Sequence, residues 1–141
     1  MKFLVLSVFL CVFVTTSTAQ TTKSPTVINM QNSIGSLLTA VRDLSLANAA
    51  LIKNTEDQIA LNSAYTSAEQ LYQLFPTYGS AASASLPLPN RTRLNTAFGS
   101  FQDAVAAWET ALDARTVENL TNTFQNVQKE FLTLAGVVYT L

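Results

Sequence analysis

The chain has 141 residues, of which 48% are apolar and 12% charged, with a formal net charge of -1 and no histidine. Charged residues fall well below the usual share of about 25%, and both signs are scattered singly, which excludes the clustered basic footprint of a nucleic-acid binder and the polybasic device of anionic-membrane attachment. Without histidine, and with the lone cysteine, Cys11, in a segment that is expected to be cleaved off, the mature chain offers none of the usual zinc sites, no Glu-x-x-His di-iron bundle and no nucleophilic catalysis based on His or Cys.

The chain opens as a secretory leader. Met1 and Lys2 form a short basic start, Phe3 to Val14 is apolar apart from Ser7, and Ser17 and Ala19 take the two small positions of a cleavage site, so residues 1–19 read as a signal peptide. An apolar core of about 12 residues is short of the roughly 20 that span a bilayer, so no transmembrane span is expected. Cleavage would remove Cys11 and leave a secreted chain without disulfides, stabilised by packing alone. A chain of about 120 residues buries enough surface to do so as one domain.

Residues 20–24 form a polar, mobile lead. Ser24-Pro25 has the pattern of a helix start, Ser as N-cap and Pro in the first turn. The first helix, 25–52, carries Val27, Met30, Ile34, Leu37, Val41, Leu44 and Leu51 in steps of three and four, the spacing of a helical seam. Asn48 stands where a seam residue belongs. The preferred reading is a bend or end near Ser45 to Asn48 that leaves the amide in water, because buried polar groups are exceptions; the other reading is a buried Asn that sets register.

Thr55 and Gln58 have capping-box spacing, so the second helix is expected over 55–75, with Leu61, Ala64, Tyr65, Ala68, Leu71, Tyr72 and Phe75 on one face. Pro76 ends it. Residues 76–89 form the one long loop, in which Leu86-Pro87-Leu88-Pro89 favours an extended path and Ser80 to Ser85 has room for a helical turn; the loop reads as a lid or as a plain crossover. The third helix, 90–113, presents Leu94, Ala97, Phe98, Phe101, Ala104, Val105, Trp108, Ala111 and Leu112. That stripe is wide enough for more than one neighbour. Thr116 caps the fourth helix, 116–141, whose seam is Val117, Leu120, Phe124, Val127, Phe131, Leu134, Val138 and Leu141. From Phe131 onward the helix is apolar on nearly every side, as expected of a buried helix end, a self-association surface or the cleaved tail of a lipid-anchor signal.

The fold class that follows is all-α, an antiparallel four-helix bundle over residues 25–141. No catalytic constellation, metal site or cofactor is expected; the glycines stand singly, so there is no phosphate-binding loop, and the protein reads as non-enzymatic. Asn90-Arg91-Thr92 and Asn119-Leu120-Thr121 match the N-glycosylation pattern, although a chain this rich in Asn, Ser and Thr holds about two such triplets by chance. Asn90, near the loop, is the one expected to be used first. The aromatic set Tyr65, Tyr72, Phe75, Phe98, Phe101, Trp108, Phe124 and Phe131 reads either as ordinary core or as the lining of a cavity for an apolar small molecule between helices. The leading functional expectation is a secreted, extracellular binding protein that holds a lipid-like ligand or an apolar surface. The alternative is a ligand-free interaction module whose first and fourth seams build a homodimer or dock on a helical partner. In outline the leader, the lack of disulfides and the amphipathic helices are similar to fungal hydrophobic-surface-binding and cell-wall mannoprotein domains and to some insect secreted helical proteins. The link from Asp113 to Thr116 is shorter than is usual in the fungal family, and no motif supports an assignment.

Overall fold

The computed structural model describes residues 22–141; the leader expected over residues 1–19 lies outside them. Thr22 to Ser24 are exposed and non-helical, with Lys23 Nζ donating to Gln31 Oε1. The elements are α1 (Pro25–Lys53), α2 (Gln58–Leu74), a 3-10 turn (Phe75–Thr77), the single turn α3 (Ser80–Ser83), α4 (Leu88–Ala114) and α5 (Val117–Tyr139). The described chain is all-helical, without strands, and four helices pack against one another. No helix among the described residues is long and apolar enough to cross a membrane.

Local chemistry sets most of the boundaries. Ser24 Oγ accepts from the Val27 N–H and Pro25 occupies the first turn of α1. There is no break at Asn48. The helix runs on to Lys53, and Asn48 is 3% exposed, so the reading of a bend that frees the amide is corrected: the side chain finds partners inside, as shown below. The start of α2 is also corrected. Asp57, not Thr55, is the N-cap, its Oδ1 accepting from the Ile59 and Ala60 N–H groups at 2.9 and 3.0 Å. A carboxylate both caps and complements the positive end of the helix dipole, so it outcompetes a hydroxyl two residues earlier.

The buried face of α2 is Ala60, Ala64, Ser67, Ala68 and Leu71, which is rotated from the expected stripe. Small side chains let backbones approach closely, and α1 presents Ala40 and Ala47 on the side that meets α2. Turning this face inward leaves Tyr65 and Tyr72 outside at 45% and 39% exposure, with Leu61 half-buried.

Residues 76–89 are tied down rather than free to swing. Tyr78 has no exposed surface and its hydroxyl donates to the Met30 carbonyl of α1 at 3.0 Å. Leu86 is buried, and the Arg91 guanidinium donates to the carbonyls of Ala84 and Leu86 at 2.6 and 3.1 Å. The expected turn at Ser80 is present as α3. Pro87 keeps extended angles, but Leu88 and Pro89 already belong to α4, which therefore begins two residues before Asn90; proline is tolerated there because the first N–H groups of a helix have no partner.

The nine stripe residues expected in the third helix are all buried in α4. In α5, Thr116 Oγ1 accepts from the Asn119 N–H, and Leu120, Phe124, Val127, Phe131, Leu134 and Val138 are buried, while Val117 is exposed and Leu141 half-buried at the ends. Two long-range bonds set the register of α1 on α5: Gln31 Nε2 donates to the Val138 carbonyl, and Asn48 Nδ2 to the Leu120 carbonyl.

Candidate functional site

The eight aromatic residues do not line one space. Phe75, Phe98, Phe101, Trp108, Phe124 and Phe131 are buried, whereas Tyr65 and Tyr72 stand outside. Phe75 sits at the centre of the larger group, edge-on to Tyr72, Phe98 and Phe101 with ring centroids at 5.0, 5.3 and 5.9 Å. Phe101 continues to Phe131 at 6.2 Å, and Tyr78 packs on Phe98 at 6.1 Å. Such edge contacts use the ring quadrupole and close the space between rings. At the other end, Trp108 and Phe124 meet at 6.2 Å.

Trp108 is fully buried, and its Nε1–H donates to Asn48 Oδ1 at 2.9 Å. With its amide nitrogen on the Leu120 carbonyl at 3.3 Å, Asn48 joins α1, α4 and α5. A buried indole needs an acceptor, and the seam position of Asn48 supplies one. Sequence reasoning kept this pair apart; the clue was the coincidence of one polar seam residue with one tryptophan.

On the outside of α2, the Tyr72 hydroxyl donates to the Glu109 carboxylate of α4. Partial burial, then the hydrogen bond and the negative charge of Glu109, push the Tyr72 phenol well above its usual range. Burial, with a smaller contribution from Tyr139, does the same to Tyr78. Among the described residues no three His, Cys, Asp or Glu side chains converge, and the ion pair present is Lys129 with its neighbour Glu130 at 3.1 Å.

Two of the grooves that flank α1 carry several apolar side chains. The one against α2, about 650 Å³, is lined by Leu46, Ala47, Ala50, Ile59 and Ala60 together with Asp43, Asp57 and a row of hydroxyl and amide side chains. The one against α5, about 470 Å³, is lined by Leu38, Val41, Phe131 and Leu132, with Arg42, Ser45 and Gln128 as its polar residues. Of the eight aromatic residues only Phe131 reaches either of these two grooves. Leu38 and Leu132 are 53% and 69% exposed, so the apolar wall faces water. The sequence hint for it was the all-round apolar character of α5 after Phe131, which leaves Leu132 and Tyr139 exposed.

The two glycosylation triplets lie in first turns. Asn119 is exposed at the start of α5, and Asn90 is half-buried in α4 beside Lys23, Pro87 and Leu141. The chain matches no protein-family model, no curated protein and no solved structure.

Proposed function

We propose that this is a secreted, non-enzymatic binding protein, released by cleavage after Ala19 and folded as an antiparallel bundle, that holds a lipid-like molecule or rests on an apolar surface at the outer groove between α1 and α5. The antiparallel arrangement is supported by the register bonds, which pair the start of α1 with the end of α5 and the end of α1 with its start, and by the short links before α2 and α5. The observation that carries the function is the groove itself: Leu38 and Leu132 stand more than half exposed over the buried edges of Val41 and Phe131. Ligand sites are concave and mostly apolar with few polar groups. The wider groove against α2 fits that description less well, because Asp43 and Asp57 would both have to be desolvated.

Isothermal titration of the secreted protein with dodecanol and other single-chain apolar molecules tests this reading. Saturable binding at one site per chain, lost in Leu38→Glu and in Leu132→Glu, is the expected result; no binding across the panel overturns it. A ligand-free dimer through the seams is the weaker reading, because the seam residues of α1 and α5, apart from Val117 and Leu141 at the ends, are buried within one chain.

A further inference from the structure

We infer that the groove between α1 and α5 takes a single-chain amphiphile with an anionic head, the head at Arg42 and the tail along Leu38 and Leu132 toward Tyr139; this rests on the apolar reading of that groove. The polarity of the groove is segregated along its length. With Gln31 bonded at Val138 and Asn48 at Leu120, Arg42, Ser45 and Gln128 lie toward one end, and Leu38 and Leu132 toward the other. Beyond Leu132, steps of three and four along α5 bring Ala135 and Tyr139 to the same side, and Tyr139 is 59% exposed. The lining itself runs from Ser45 to Leu38 along α1, about 10 Å at 1.5 Å per residue; continued past Leu132 to the level of Gln31, whose amide bridges to the Val138 carbonyl, the path from Arg42 reaches about 16 Å, comparable to an extended dodecyl chain.

Charge selects the head. Arg42 is the one charged residue that lines this groove, and among the described residues it has no ion pair. The adjacent Asp43 faces the opposite groove, against α2. On α5, Lys129 and Glu130 pair with each other and neither lines the groove, so Arg42 is the charge that the groove itself offers an anion. A guanidinium presents a planar fork of donors that matches a carboxylate in a bidentate pair, and Ser45 and Gln128 add a hydroxyl and an amide beside it.

The test is a comparison of dodecanoate with dodecanol, both below their aggregation concentrations, titrated into the secreted protein and into Arg42→Gln. Dodecanoate should bind about threefold more tightly than dodecanol to the native protein, as expected for one exposed ion pair, with the preference shrinking as salt is raised. In Arg42→Gln, an exposed substitution that leaves helicity unchanged, the preference should fall to about unity because only the charged partner is removed. Equal binding of acid and alcohol to the native protein, or an acid preference that survives in Arg42→Gln, overturns the anionic head and leaves the apolar reading of the groove intact. Failure of both molecules to bind overturns the apolar reading and the anionic head together.

Discussion

The inner side of α5 and its edge against α1 present the same kind of side chain to opposite situations. Inside, Phe124 and Phe131 meet rings from α4, and the Trp108 N–H is matched by Asn48. Outside, Leu132 stands beside Phe131 and looks across at Leu38 over open space. Three elements converge on Asn48, and the 3-10 turn places Phe75 between the rings of α4, so the interior closes; among the described residues no third element lines the groove where α1 and α5 meet on the other side. An aromatic cluster in the sequence therefore marked the region that is full, and the exposed aliphatic residues beside it mark the region with room.

The comparison is broken most severely from the inside. Trp108→Ala should destabilise the protein by about 3 to 5 kcal/mol, as for large aromatic truncations in a core. Asn48→Ala should cost about 1 to 3 kcal/mol because it leaves the buried indole N–H without an acceptor, while the Leu120 carbonyl, inside α5, loses only a second donor. Since the two residues share a bond, chemical denaturation of the double variant should show less than the sum of the single losses; additive losses would mean that the bond contributes nothing.

A smaller effect tests closure at the loop. The neutral Tyr78 phenol is held inside, and burial raises its pKa above that of the unfolded chain, so its contribution is fully present below about pH 10 and is lost as pH rises above that value. Tyr72, partly exposed on Glu109, acts with the same sign and less weight. Tyr78→Phe should cost about 1 kcal/mol at neutral pH through the lost bond to Met30 and should flatten the alkaline loss of stability; an unchanged alkaline slope, read by denaturation at successive pH values, would place Tyr78 in water. The smallest effect is expected outside. Leu38→Ser and Leu132→Ser should change stability by about 0.5 kcal/mol or less while weakening the uptake of apolar molecules, which separates the groove from the interior by a single pair of measurements.

The interior of α4 and α5 was legible because their apolar residues recur at helical spacing over about five turns each, and a wrong rotation would expose several large side chains at once. The stripe of α1 was legible for the same reason, save for Ala40, Ala47 and Asn48. The face of α2 was not. Its expected face held two tyrosines and its real one is mostly alanine, and the choice between them depends on how closely α1 approaches, which no local pattern encodes. Tyr78 and Leu86 were missed because a loop has no period, although both are buried. Asp57 was passed over as a cap because hydroxyl spacing suggested an earlier start. Among the residues that line the α1–α5 groove, Phe131 alone was named from sequence as a ligand-lining residue, and Val41 was named only as part of the α1 seam; Leu38 and Arg42 lay off the seam and carried no pattern of their own.

Capping chemistry and helical periodicity act within a few residues, so the number and order of the long helices, most of their ends and the inward stripes of α1, α4 and α5 follow from the order of amino acids alone. The rotation of α2, the burial of Asn48 against Trp108 and the open edge between α1 and α5 come from the packing of helices against one another. Each of these depends on the size and polarity of a side chain contributed by another helix, and the distance between helices is settled by all such fits at once.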